Sequence, residues 1–208
     1  MSTTSVNRRV KLGRHSNGRL MTPQEFDAVR DYDDLYRYEL VHGVLIVSPF
    51  AGIQERDPNE ELGRLLRNYQ DAHPQGSVID TTVVEHYLNV PDGRRRADRV
   101  AWTGLGRLPE PETDVPTIVV EFVSKSTRDR VRDYVEKRRE YLELGVREYW
   151  VIDRFKRTMT VFRKAGDGPE EVVVQAGSSY HSPLLPGFEL PLGRLLTLAN
   201  RWKKGRPT

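Results

Sequence analysis

The sequence predicts a single α/β domain in which flanking helices pack against a mixed β-sheet. Segments rich in β-branched residues are interspersed with segments whose apolar residues recur at helical spacing. The chain has 208 residues, of which 37% are hydrophobic, and this is enough for one hydrophobic core. It contains no Cys, which excludes disulfide frameworks, cysteine-ligated zinc, iron–sulfur clusters and thiol nucleophiles.

The first half of the chain is predicted to begin with a helix and a hairpin. Thr22 is typical of an N-cap, with Pro23 at the first helical position and Glu25 three residues on, so a helix is expected to about Asp31. The elements predicted after it are a hairpin over residues 38–48, a helix over 57–72, and strands over 78–90 and 97–102.

The second half centres on a β-branched run from Thr117 to Val123, which predicts a strand buried on both faces. A helix is predicted from Ser124 to Gly145, because glycine is typical of the position just after a helix. The remaining predicted elements are strands over 148–153, 158–163 and 171–174, which form an added C-terminal β-hairpin region, and a helix from Leu192 to about Trp202.

Charge divides the chain into three parts. Residues 1–20 and residues 194–208 each carry five basic residues and no acidic one, so the stretch between them has a net charge of −7 although the chain carries +3. We predict a basic flexible tail over 1–20, one domain over 21–202 and a basic tail over 203–208. Such tails either bind the phosphate backbone of a nucleic acid without recognising its base sequence, or they are simply solvated termini.

Membrane association is not expected. The longest apolar stretch, 117–123, is interrupted by Glu121 and is far shorter than the ~20 residues of a membrane span. The polar N-terminus shows no secretory signal. We therefore expect a cytoplasmic protein.

Two acidic residues lie in strands that are otherwise predicted to be buried. Glu121 interrupts the central strand, and Asp98 shares a strand face with apolar residues. A buried carboxylate costs several kcal/mol unless a cation or hydrogen-bond donors compensate it. Each could be paired with an arginine, such as Arg99 or Arg138. Alternatively, the two carboxylates share a divalent metal, with the backbone carbonyl of Phe122 as a further ligand.

Lys137 borders the sheet-facing side of the helix predicted after Glu121. At about 100° per residue it falls beside Tyr141, whereas Val135 lies on the apolar arc and Glu140 on the solvent-facing side. An ammonium in this position can extend toward the strand carboxylates. The alternative is a side chain that runs along an apolar edge to solvent.

Several runs of residues carry a resemblance to a known family. They are Tyr38–Gly43 with Ser48-Pro49, Ala97–Val100, Val119–Thr127, Glu136-Lys137 with Tyr141, Gly145–Asp153 and Ser182–Gly187. These motifs resemble the Uma-type restriction-endonuclease family of the PD-(D/E)XK nuclease superfamily. The resemblance covers nearly everything from Thr22 to Leu196, and the block Ser124–Asp153 is its most specific part.

The resemblance implies a restriction-endonuclease-like core that hydrolyses DNA phosphodiester bonds with Mg²⁺, or with Mn²⁺ in its place. It implies that Asp98 and Glu121 are metal ligands and that the catalytic lysine is Lys137, displaced from the strand to the following helix. Glu39 corresponds to an early acidic position of the family, which binds or positions the metal. The superfamily commonly forms homodimers, so a homodimer is expected.

Departures from the family pattern concern the residues around the two carboxylates. Ala97 stands where the family usually has Pro, a change expected to affect backbone rigidity more than ligation. Val123 occupies the lysine position of the basic superfamily motif, as is usual in this branch, and Lys125 stands where the branch often has Pro. Strand alternation would put Lys125 on the side of Glu121 if the strand reached it, so Lys125 is an alternative to Lys137.

Two other functions stay open at this point. One is a non-catalytic nucleic-acid-binding module, which the basic ends support, and the other is a protein-interaction domain whose carboxylates are paired with arginine. The sequence has neither a glycine-rich phosphate loop nor a Gly-x-Ser-x-Gly motif. Kinase, dinucleotide-binding and serine-hydrolase functions therefore have no support.

Overall fold

The computed structural model describes residues 11–124, 132–165 and 168–202. They fall into two compact units. The first comprises residues up to 50 together with 89–96, and the second comprises residues 51–88 together with those from 97 onward.

The first unit is built around a β-hairpin. Its elements are β1 (Lys11–Leu12), a 3₁₀ turn (Arg14–Ser16), α1 (Pro23–Asp27), β2 (Asp31–Tyr32), β3 (Tyr36–Val41) and β4 (Val44–Pro49). β3 and β4 pair antiparallel around His42 and Gly43, which both have positive φ. β3 also pairs with the first part of β6 (Gly93–Thr103), where Leu40 lies opposite Arg94. The predicted hairpin is thus confirmed.

Part of the predicted N-terminal tail is folded, which corrects the expectation for residues 11–20. β1 pairs in parallel with β2, and Leu12 is buried in an apolar cluster with Met21 and Tyr38. Isolated apolar residues in a polar stretch show no periodicity, so the sequence pattern did not reveal this contact. Residues 1–10 and 203–208 lie outside the described residues.

Helix α1 begins as predicted but ends early. The Thr22 hydroxyl accepts the N–H of Glu25, and the Glu25 carboxylate accepts the N–H of Thr22. The helix ends at Asp27 instead of about Asp31, because Asp31 already belongs to β2.

The second unit contains most of the sheet. Its strands are most of β5 (Ile79–Val90) and of β6, then β7 (Ile118–Phe122), β8 (Glu148–Asp153), β9 (Thr158–Ala165) and β10 (Gly168–Gln175). The order is β10-β9-β8-β7-β6, and β5 also pairs with β6. β7 and β8 are parallel, whereas the β6–β7, β8–β9 and β9–β10 pairs are antiparallel. The sheet is therefore mixed, as predicted, and β9–β10 is the added hairpin.

Helices cover both faces of β7. The remaining elements are α2 (Ile53–Ala72), a 3₁₀ turn (Gly76–Val78), a π-helical turn (Arg132–Glu136) that continues into α3 (Lys137–Leu144), β11 (Ser179–Tyr180), β12 (Leu190–Pro191) and α4 (Leu192–Arg201). Val120 and Phe122 pack in a core cluster with residues of α2 and α4. Val119 packs in a second cluster with Tyr141 and Leu142 of α3. The central strand is thus buried on both faces, as predicted. No helix in the described part of the chain is long and apolar enough to cross a membrane.

The predicted bounds of α2 differ from the observed ones at its start. It begins at Ile53 instead of residue 57, because the Glu55 carboxylate accepts the N–H of Gly52 and closes the first turn. At the other predicted long helix, Gly145 has φ 111° and ends α3 as expected. Ser124, the predicted first residue of that helix, lies outside any helix or strand, and residues 125–131 lie outside the described residues.

The helical phase predicted around Lys137 is wrong at two residues, one before it and one after it. Val135, expected on the apolar arc, is 60% exposed, whereas Glu140, expected in solvent, is buried. The physical reason is the π-helical turn over Arg132–Glu136, which is wider than an α-helical turn, so a constant 100° step fails across it.

Candidate active site

Asp98 and Glu121 lie on neighbouring antiparallel strands and share one face of the sheet. The β6–β7 register pairs Arg99 with Val120, so one further step places Asp98 opposite Glu121. Residues directly opposite each other on antiparallel strands have Cβ atoms about 4.5–5.5 Å apart. Both side chains are buried, Glu121 with only 3% of its surface exposed.

The carboxylate of Asp98 is held by the backbone of β7. Its Oδ2 accepts the N–H of Phe122 at 2.8 Å. In antiparallel pairing the N–H and C=O of one residue point toward the same neighbouring strand, so the carbonyl of Phe122 is directed toward the same side as its N–H. The three predicted metal ligands, Asp98, Glu121 and the Phe122 carbonyl, therefore come from adjoining positions of two strands.

Lys137 reaches this face of the sheet from α3. Its Nζ lies 2.7 Å from Oε1 of Glu121, and the hydroxyl of Tyr141, one turn further along α3, donates to the same oxygen at 3.2 Å. Only 1% of Lys137 is exposed, so the alternative of an ammonium that runs to solvent is wrong. The sequence identified Tyr141 only as a core residue, and its hydroxyl contact is an addition.

Asp133 is a third buried carboxylate, which the sequence analysis missed. Its Oδ1 lies 3.7 Å from Nζ of Lys137 and 3.9 Å from Nε of Arg132. Its backbone carbonyl accepts the hydroxyl of Tyr149 at 2.9 Å. The sequence spacing could have identified Asp133, because residues four apart share a helix face and Asp133 precedes Lys137 by four.

The pKa of Glu121 is shifted by burial and by the charged groups around it. Burial raises the pKa of Glu121 from 4.5 to about 8; the ammonium of Lys137 lowers it, and the carboxylates of Asp98 and Asp133 raise it. Ionisation of Glu121 would add negative charge beside Asp98 and Asp133, and a bound divalent cation would favour that ionised form.

The residues offer a small set of oxygen ligands. Within the described ranges, no group of three or more His, Asp or Glu side chains is arranged to hold a metal ion. Two carboxylates and one backbone carbonyl nevertheless fit a hard cation such as Mg²⁺, which keeps several waters and binds through one or two carboxylates plus substrate phosphate.

Arg99 and Arg138, considered above as ion-pair partners of the two carboxylates, bind other groups. Arg99 donates to Asn59 and Thr82 on the α2 side of the sheet. Arg138 lies 3.7 Å from Glu171 and over the ring of Phe162. The alternative in which these two arginines neutralise Asp98 and Glu121 is therefore wrong.

Two further residues of the predicted site are Glu39 and Lys125. Glu39 is buried in the first unit, where its Oε1 accepts the N–H of Arg96 at 3.0 Å. Lys125 lies outside the described residues. Their roles stay predictions.

The fold and this group of residues define a class, an α/β domain with a mixed central sheet and a lysine buried among carboxylates on one face of it. A family model described as "Uma2: Putative restriction endonuclease" matches residues 23–193, and the chain belongs to this family. The family resemblance seen in the sequence is thereby confirmed.

A solved structure supports the fold assignment. It is the crystal structure of a protein described as a putative nuclease belonging to DUF820 from Anabaena variabilis, with a TM-score of 0.66 and 15% sequence identity. The match covers 86% of this chain and 99% of that chain. At this identity the likeness shows a shared fold. No curated protein matches the sequence significantly.

Proposed function

We propose that this protein is a Mg²⁺-dependent endonuclease that hydrolyses phosphodiester bonds in DNA. The observation that carries the proposal is the buried contact between Lys137 and Glu121, on the face of the sheet where Asp98 lies opposite Glu121. Membership of a family described as restriction endonucleases supports the same reaction.

The metal would be held by Asp98, Glu121 and the backbone carbonyl of Phe122. A Mg²⁺ ion held by these three groups would supply a water of lowered pKa and positive charge beside the scissile phosphate. Mn²⁺ accepts the same kinds of oxygen ligands, so we expect it to substitute.

Lys137 would act directly on the substrate. Its ammonium provides N–H donors and a fixed positive charge, which orient the attacking water or stabilise the phosphate as it gains charge. Asp133 lies on the other side of this ammonium, and Tyr141 holds the Glu121 carboxylate through a hydrogen bond. These contacts fix the positions of both groups before substrate binds, which is the condition for electrostatic catalysis.

DNA is proposed as the substrate because of the family. A homodimer and a cytoplasmic location remain predictions from the resemblance and the composition. Light scattering after size-exclusion chromatography tests the homodimer, for which a mass twice that of the 24.0 kDa chain is expected.

The function is tested with supercoiled and linear DNA in Mg²⁺, in Mn²⁺ and in EDTA. We expect the wild-type protein to cut in either metal and not in EDTA, and Glu121→Gln to abolish cutting. Glu143→Gln is the matched control, because Glu143 is exposed on the same helix as Lys137, and it should cut like wild type. Cutting that survives Glu121→Gln would contradict the assignment. Salt-dependent binding without cutting in any metal would favour the non-catalytic nucleic-acid-binding alternative.

A further inference from the structure

Asn59 connects α2 to the strand that carries Asp98. Its Nδ2 donates to the backbone carbonyl of Asp98 at 3.0 Å, and its Oδ1 accepts Nε–H of Arg99 at 2.7 Å. The backbone carbonyl of Asn59 also accepts from Nη2 of Arg99, at 3.0 Å. Asn59 is 8% exposed, and it lies on the α2 side of β6, opposite the face that carries the Asp98 carboxylate.

This contact lies next to the end of the pairing between β6 and β7. The β6–β7 pairing ends at Arg99 and Val120, so Asp98 lies one residue beyond it. There the Asp98 carboxylate accepts the N–H of Phe122, and the Asp98 carbonyl accepts the amide of Asn59. A buried carbonyl that loses its hydrogen-bond partner destabilises the fold, so this bond restrains the Asp98 peptide.

Arg99 fixes which way the Asn59 amide points. A guanidinium can only donate, so the amide oxygen of Asn59 must face Arg99 and the amide NH₂ must face the Asp98 carbonyl. The hydrogen bonds of Arg99 go to neutral groups, Asn59 and Thr82, and burial lowers the pKa of Arg99 to about 10. Gly63 leaves room for the guanidinium, because a Cβ at that position would overlap it.

We propose that Asn59 is a positioning residue for the metal site, which holds the Asp98 segment in register from the opposite side of the sheet. The inference rests on the proposed function, since it assigns Asn59 a role in metal binding through Asp98. Partners that orient metal ligands typically change metal affinity 10- to 100-fold when they are removed.

The test is the substitution Asn59→Asp, with Mg²⁺ alone as the ligand. It preserves side-chain size and keeps an acceptor for Arg99, but it removes the donor to the Asp98 carbonyl. We expect Mg²⁺ affinity, measured by titration calorimetry, to fall about tenfold or more. Tm should be unchanged or higher, because the buried guanidinium gains an opposite charge. The added negative charge by itself would strengthen cation binding, so a loss of affinity isolates the missing hydrogen bond.

Asn68→Asp is the matched control, because Asn68 is exposed on the same helix. It introduces the same charge and should leave Mg²⁺ affinity unchanged. If Asn59→Asp does not fold, Asn59→Ser removes the amide donor without adding charge, and it is expected to show the same loss of affinity in a folded protein.

The outcomes separate this inference from the proposed function. If wild type binds Mg²⁺ and the Asn59 variant binds it equally well or better, the proposed role of Asn59 is wrong, but the proposed function is not affected. A lower Tm with unchanged affinity has the same meaning, since it assigns Asn59 only to the fold. Wild-type protein that binds no Mg²⁺ overturns the proposed function and this inference with it.

Discussion

The ammonium of Lys137 lies 2.7 Å from the carboxylate of Glu121, although both side chains are almost inaccessible to solvent. Taking two charges out of water costs several kcal/mol for each ion, and apolar residues of similar size often stabilise a core as well or better. Stability alone therefore gives no reason for this pair in the core. The catalytic role proposed for the two groups would give one.

The first prediction concerns the coupling of this pair. Lys137→Met should lower the free energy of unfolding by about 3–5 kcal/mol above pH 8, where Glu121 is ionised in wild type and its carboxylate loses the ammonium that offsets its burial. Adding Glu121→Gln to that variant should restore much of the loss. Urea unfolding of the two single variants and the double variant measures the coupling, and strictly additive effects would show that the two groups do not interact.

The second prediction is a pH dependence in metal-free protein. The folded-state pKa of Glu121 is raised, mainly by burial, from 4.5 to about 8. Between these values the unfolded chain releases a proton that the folded protein retains, so stability falls as pH rises through this window. The Tm of wild type in EDTA should therefore fall relative to Glu121→Gln from about pH 4.5 to 8 and then level off. Parallel profiles of the two proteins would contradict the raised pKa.

The third prediction separates ligation from folding at Asp98. Asp98→Asn keeps an oxygen that can accept the N–H of Phe122, so we expect the free energy of unfolding to change by less than about 1.5 kcal/mol. Mg²⁺ affinity should fall at least tenfold, because the ligand charge is lost. Titration calorimetry and urea unfolding of the same preparation measure both. Unchanged Mg²⁺ affinity would exclude Asp98 as a ligand.

The fourth prediction concerns the space that Gly63 leaves for Arg99. In Gly63→Ala the new Cβ would overlap the guanidinium, so we expect a loss of about 1–3 kcal/mol in unfolding free energy. Gly177→Ala is the control, because no atom within 4 Å would meet a Cβ there. Equal stability of the two variants would mean that Arg99 moves aside without cost.

The sequence predicted those parts of the site that depend on local pattern. Glu121 stood out because it interrupts a β-branched strand, and Asp98 because its strand neighbours are apolar. The inward position of Lys137 followed from helical phase. These inferences succeeded because strand alternation and helical periodicity are properties of short segments.

The missed features depend on contacts between distant segments or on irregular backbone. Asn59 lies on the buried stripe of α2 with Leu62 and Leu66, yet its partner Asp98 is 39 residues away. The π-helical turn before Lys137 places Val135 on the exposed side, and no local sequence pattern predicted this turn.

Glu148 is another buried carboxylate whose partners the sequence did not reveal. It accepts hydrogen bonds from Trp150, Tyr180 and Ser182 at 2.8–2.9 Å. Two of these donors lie more than thirty residues along the chain. The reason why this acidic residue is buried at the start of a strand can therefore be given only once the fold is known.

The most direct measurement is anomalous X-ray diffraction from crystals of the protein grown with Mn²⁺, under conditions in which the same preparation cuts DNA. We expect one Mn²⁺ peak bound by carboxylate oxygens of Asp98 and Glu121 and by the carbonyl oxygen of Phe122. A Mn²⁺ peak held by other residues, or no peak in protein that cuts with Mn²⁺, would contradict the proposed site.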